Sequence, residues 1–222
     1  MKAKRLATPL RARSIAKRAA VLHAAAELFL EHGYDGVSVD MIVAAAGGTK
    51  TNVYVHFGGK AELFAAVVEE LWRESVQPFA EVALLDAEGL PIEEALRQLG
   101  RGFLNAICTE REIKLHRMVV AAAGRHPKLA HRWFSIGPLE AYQRFSAYVA
   151  KQQLAGRLVS MPARRLAPLF VDMVSQEMHM RMLIGGARQP ERSEINRVVD
   201  DAVEIFLYGA ASGPGTKTKR RR

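Results

Sequence analysis

A chain of 222 residues with 49% hydrophobic content can bury a full core, as one large domain or as a small domain beside a larger one. No apolar run is long enough to span a bilayer and no apolar core follows the basic N-terminus, so neither a membrane span nor a secretory signal is expected. The single Cys108 excludes an internal disulfide and fits a reducing, cytoplasmic setting. The formal charge of +9 sits at the two ends: Lys2, Lys4, Arg5, Arg11, Arg13, Lys17 and Arg18 lead the chain and Lys217, Lys219, Arg220, Arg221 and Arg222 close it, with no acid in either stretch. The remaining body is slightly acidic, with 20 basic against 23 acidic residues.

In chain order, residues 1–12 read as a disordered basic arm, which either tracks DNA phosphates or is a solvated tail. A first helix is expected from about Arg13 to His32, with Val21, Leu22, Ala25, Leu28 and Phe29 on one face and Gly33 ending it. Ser38 is a plausible N-cap for a short, alanine-rich helix from Val39 to Ala46. Gly47 and Gly48 stop that helix, since a residue just past a helix end often takes positive φ. A second short helix begins near Thr49 or Lys50 and runs to about His56, exposing Lys50, Thr51, Asn52 and Tyr54 and turning Val53 and Phe57 inward. Two short helices joined by a tight turn, with such donors and acceptors on the outer face, read as a helix-turn-helix. After Gly58 and Gly59, Lys60 opens a long helix with Leu63, Phe64, Val67, Val68, Leu71 and Trp72 on a broad apolar stripe, expected to end or kink at Pro78.

On these residues the segment resembles the DNA-binding region of the TetR family of bacterial transcriptional regulators. Ile42, Ala46, Gly47, Lys50, Val53, Tyr54, His56, Phe57, Lys60, Leu63 and Phe64 fall in step with the family pattern, and the stretch from Ala24 to Val39 matches its first helix and exit. The resemblance covers roughly residues 17–70. Val43 stands where alanine is usual, Gly48 where valine is usual and Thr51 where glycine is common, so no operator sequence is carried over. The resemblance implies DNA contacts from Thr51, Asn52 and Tyr54 to base edges and from Lys50, His56 and Lys60 to phosphates, with Ser38, Thr49, Lys17 and Arg18 completing the set.

Beyond a loop at 81–91, helical patterns recur over 92–109, 111–123, about 127–153 with a kink at Gly137 and Pro138, 162–184 and about 191–208. No strand-like alternation of useful length is present, so the expected fold is all-α, with about nine helices. The expected domains are the arm (1–12), the helix-turn-helix unit (13–59), an effector-binding and dimerisation domain (60–211) and a disordered basic tail (212–222). The last helix carries Ile195, Val198, Val199, Ala202, Val203 and Phe206 on one stripe. The resemblance implies that this stripe and the preceding helix pair with their copies in a homodimer, whereas the pattern alone leaves burial in the protomer's own core equally open. Residues 111–185 resemble, more weakly, the C-terminal domain of the AefR-like branch.

The larger domain is expected, by the same resemblance, to house a ligand. Phe103, Ile107, Met118, Phe134, Tyr142, Phe145, Phe170, Met173, Gln176 and His179 are candidate lining residues for a small, mostly apolar molecule, although each apolar one taken singly is what any core shows. Enzymatic signals are absent: the stretch 47–51 lacks the glycines and preceding strand of a nucleotide loop, the histidines lack the spacing of a helical zinc pair, and no serine sits in a nucleophile elbow. No catalytic residue, metal site or cofactor is assigned. The sequence reading is a ligand-responsive repressor that binds a palindromic operator in double-stranded DNA as a homodimer, away from any membrane. The alternative is a helix-turn-helix protein without a small-molecule effector, controlled by a partner or acting architecturally.

Overall fold

The computed structural model describes residues 9–75, 89–186 and 188–210. Among them lie ten helices and no strand: α1 (Pro9–Gly36), α2 (Val39–Ala46), α3 (Lys50–Phe57), α4 (Lys60–Ser75), α5 (Ile92–Ile107), α6 (Glu110–Ala123), α7 (Pro127–Ile136), α8 (Pro138–Leu154), α9 (Ala163–Gly185) and α10 (Arg192–Tyr208). None is long and apolar enough to cross a membrane. The expectations for residues 1–8, for Pro78 and the start of the following loop, and for the C-terminal tail lie outside the described residues.

Two differences from the sequence reading concern helix ends. The first helix begins at Pro9 rather than Arg13, so residues 9–12, the last four of the stretch expected to be disordered, are helical. Gly33 ends the regular part of this helix, as expected: its φ of 70° and ψ of 172° are non-helical and bend the chain, returning Tyr34 to the core ahead of a short helical stretch to Gly36. The expected kink at Gly137 is a full break into α7 and α8, with Pro138 supplying the first residue of the new helix. A Cβ at 137 would lie 3.1 Å from the Trp133 carbonyl oxygen and 3.4 Å from the Trp72 ring, so a side chain there would need its neighbours to give by a few tenths of an ångström.

The helices enclose two cores. Phe29, Ile42, Val53, Leu63, Phe64 and Leu71 join α1 to α4 in the first, and Leu115, Met118, Val119 and Ala122 of α6 belong to that same cluster. Fully burying a side chain of this size contributes about 1.5–3 kcal/mol, so the helix-turn-helix unit is held by α6 as well as by α4. The second core packs α5, α8, α9 and α10 around Leu96, Leu104, Phe145, Phe170, Val174 and Val199. Ile113, near the start of α6, belongs to this second core, so α6 spans both. The expected domain boundary at residue 60 is therefore not a boundary between cores. At the far end of α9, the Arg117 guanidinium of α6 donates to the carbonyls of Met182 (2.7 Å) and Leu183 (2.9 Å), satisfying acceptors that a helix C-terminus leaves open.

Candidate nucleic-acid interface

The Ser38 hydroxyl accepts from the Met41 backbone N–H at 3.2 Å, so this side chain is engaged in capping α2. Ile42 and Val53, one from each short helix, are fully buried and clamp α2 and α3 onto α1. The turn between them needs its glycines: Gly47 has φ 70° and Gly48 φ 118°. A Cβ at Gly48 would lie 2.8 Å from Asn52 Nδ2, which shows the Asn52 amide folded over the turn.

Thr51, Tyr54 and Val55 stand at i, i+3 and i+4 on the outer face of α3, and all three are exposed. Val55, at 74% exposure, was missed by the sequence reading, although its offset from Thr51 placed it on that face. An exposed aliphatic there suits contact with a thymine methyl. Asn52 and His56 are only half-buried, and Asn52 is directed at the turn rather than along the outer face. Thr49 is the exposed N-cap of α3 and makes no side-chain capping bond.

The cations around α3 are largely engaged within the protein. Lys50 Nζ lies 2.8 Å from Asp40 Oδ1, and this bond, followed by the carboxylate's charge, raises the lysine pKa. The Arg18 guanidinium sits 5.0 Å from the centre of the Phe57 ring, fastening α1 to the end of the reading helix. Lys60 Nζ lies 4.4 Å from the centre of the Tyr34 ring, where burial lowers its pKa. Lys17 is exposed.

A cavity of about 160 Å³ opens between α4, α5, α6, α7, α8 and α9. Phe103, Ile107, Tyr142, Gln176 and His179 line it, as the sequence suggested, together with Trp72, Glu112, Leu115, His116, Trp133 and Asp172. The other candidates lie elsewhere. Met118 is buried in the first core, Phe145 and Phe170 stack on each other at 5.2 Å in the second, Phe134 lines a separate open crevice, and Met173 faces outward. Inside the cavity wall His116 Nδ1 and His179 Nε2 are 3.3 Å apart, and the Tyr142 hydroxyl donates to Asp172 at 2.9 Å. Burial, with the neighbouring His179, brings His116 down to about 4, and burial lowers His179 as well. Burial and the bond to Asp172 push Tyr142 up to about 12. No cluster of metal-ligating side chains is found among the described residues.

Of the residues expected at a dimer interface, Ile195, Val199, Ala202 and Val203 are buried in the protomer's own second core, and Val198 and Phe206 pack against it. The apolar side chains left uncovered on the last two helices are Leu169, Met173 and Ile184 of α9 and Ile205 and Tyr208 of α10. The sequence reading assigns pairing to both of these helices but names none of these five residues for that role.

Residues 21–67 match the family described as bacterial regulatory proteins, tetR family, and residues 94–209, just over half the chain, match the AefR-like transcriptional repressor C-terminal domain. The HTH-type transcriptional repressor SCO4008 of Streptomyces coelicolor is 40% identical over 55 residues, which is 25% of this chain but only 29% of that protein. A crystal structure of a TetR-family regulator from Mesorhizobium loti superposes with a TM-score of 0.80 at 28% identity, over 88% of this chain and 96% of its own. The flavonoid-responsive regulator FrrA superposes at 0.70 with 26% identity, over 86% of this chain and 95% of its own. With residues 21–67 and 94–209 matched by family models and the fold matched by a TetR-family structure, the chain belongs to the TetR family of DNA-binding transcriptional regulators.

Proposed function

We propose that the chain works in the cytoplasm as a homodimeric repressor whose affinity for a near-palindromic operator is set by a small molecule in the cavity between α4 and α9. The observation that carries this reading is the exposed Thr51–Tyr54–Val55 face of α3, held rigid by the buried Val53 behind it. In a twofold dimer each α3 enters a major groove, the two about 34–36 Å apart, one turn of DNA. The uncovered apolar residues of α9 and α10 support pairing through those helices, because an apolar face of this kind on a lone protomer is costly in water. Repression is supported by the kinship of the C-terminal domain with AefR-like repressors and by SCO4008.

The cavity favours an effector over control without one. Trp72 of α4 and Leu115 and His116 of α6 line it, while Leu71, Leu115 and Met118 on the same two helices pack into the core shared with α1. A ligand that fits better when α4 and α6 are displaced therefore shifts the population in which the two reading helices match the groove spacing. It can do so only by its differential affinity for the two states.

Equilibrium binding to a selected duplex and to random DNA tests the reading face. Tyr54→Ala and Thr51→Ala are expected to erase sequence preference, whereas Lys17→Ala weakens all duplexes alike and lowers the salt dependence. Equal weakening on both DNAs by all three variants would remove the reading role from α3.

A further inference from the structure

One hydrogen-bond donor in the cavity wall lacks an acceptor. Trp133 lines the cavity, and its indole Nε1–H is buried with no hydrogen-bond partner. A buried donor left unpaired is costly, and native proteins pair nearly all of them. The indole is fixed in place: its ring centre lies 4.7 Å from that of His116, and it packs against the first core. Several other polar groups of the wall already have partners. The Tyr142 hydroxyl donates to Asp172, the Ser175 hydroxyl donates to the Val171 carbonyl at 2.8 Å, and the two histidines share one hydrogen bond.

The rest of the cavity sets size and charge. Its volume of about 160 Å³ is near the roughly 150 Å³ that holds one benzene ring in a protein interior. Trp72 and Phe103 add aromatic faces against which a ring can stack. No lysine or arginine lines the cavity among the described residues, and with His116 held down to about 4 by burial and by His179, that ring carries no charge near neutrality.

We propose that the cavity takes an uncharged, single-ring aromatic carbonyl compound, its ring against Trp72 and Phe103 and its carbonyl oxygen accepting from Trp133 Nε1–H. This rests on the ligand-responsive reading above and names the chemistry of its effector. A carbonyl supplies the missing acceptor without bringing a charge. An ammonium ion has no acceptor to offer, and a hydrocarbon ring leaves the donor unpaired. A carboxylate brings an acceptor, but its charge meets no basic side chain of the wall among the described residues.

The chain has two tryptophans, and both line this cavity, so the isotope-labelled full-length protein gives two indole N–H resonances, which Trp72→Phe assigns. The protein is titrated at neutral pH and constant ionic strength with acetophenone, α-methylstyrene, benzoate and benzylamine; the styrene has the ketone's shape without its oxygen. Acetophenone should saturate and move the Trp133 indole proton downfield, and α-methylstyrene should bind without that shift. Benzoate and benzylamine should bind at least about tenfold more weakly than the ketone. Trp133→Phe keeps an aromatic ring and removes the donor, so the affinity for acetophenone relative to α-methylstyrene should fall about three- to tenfold. Circular dichroism checks that each variant is folded; if Trp133→Phe is not, the indole shift in the unaltered protein decides. No saturation by acetophenone, equal or tighter binding of either ion, an unmoved Trp133 proton, the same shift with the styrene, or an unchanged ratio in folded Trp133→Phe would overturn the proposal. Preference for an ion would leave a ligand-responsive regulator standing with a different effector, whereas saturable acetophenone binding with unchanged operator affinity would sink that reading and leave the binding site.

Discussion

Asp35, at the exit of α1, is held by Arg125, in the turn between α6 and α7: the guanidinium lies 2.6 Å from one carboxylate oxygen. The His126 ring nitrogen lies 3.2 Å from the other, and the same ring packs edge-on against Tyr34 at 4.5 Å. One carboxylate thus joins the DNA-reading unit to the helices that wall the cavity. Because these side chains are substantially exposed, the contact contributes at most about 1 kcal/mol. Asp35→Asn should therefore shift urea unfolding by less than about 1 kcal/mol while speeding amide exchange in residues 124–126. A loss well above that, or unchanged exchange, would contradict this role.

The pair Lys50–Asp40 competes with DNA for the lysine. Asp40→Asn should free Lys50 and remove a negative charge beside the groove, raising affinity for every duplex about two- to fivefold at moderate salt. Lys50→Ala should reduce the slope of log affinity against log salt by about 1. Titrations at several salt concentrations measure both.

Gly48 departs from the family's usual valine, and its φ of 118° accounts for the difference. Gly48→Val should cost about 1–3 kcal/mol through backbone strain at the turn. It should also displace the Asn52 amide, which lies where the new Cβ would stand. Thermal unfolding gives the first effect and a comparison of matched with random duplexes the second.

Acid should weaken the fold through the histidine pair. Burial depresses His116 from 6.5 to about 4, with His179 adding to the effect. Below pH 6.5 the unfolded chain takes up a proton that the folded chain refuses until about pH 4. The stability present above pH 6.5 is therefore lost across that window as pH falls, by up to about 1.4 kcal/mol per pH unit from this group. The pair is walled by Glu112 of α6, Trp133 of α7 and Asp172 of α9. His116→Gln should flatten the dependence of the urea midpoint on pH between 6.5 and 5; an unchanged slope would contradict the assignment.

The helix-turn-helix was legible because its signals are local. Ser38 caps, Gly47 and Gly48 turn, and Val53 faces inward at helical spacing, so each residue's role follows from its near neighbours. What was not legible depends on partners distant in the chain. Nothing around Lys60 says that its ammonium rests on Tyr34, and nothing around Asn52 says that it closes over Gly48. In sequence, Phe145 and Phe170 are indistinguishable from Phe103, yet the first two stack on one another and only Phe103 reaches the cavity. Glu112 and Asp172 give no local sign of lining the cavity, since a carboxylate on a helix is ordinarily solvated. Ile195 and Val199 form an apolar stripe that suits a dimer or a core equally well, and α5 takes it: Gly100 of α5 lets Val199 approach so closely that a Cβ there would lie 2.9 Å from it.

The most direct test of the account is selection of preferred duplexes from a random pool by the purified, ligand-free full-length chain at near-physiological salt. The account predicts a near-palindrome with half-sites one helical turn apart, its central reading lost in Tyr54→Ala. Enrichment no better than chance from folded protein would contradict it.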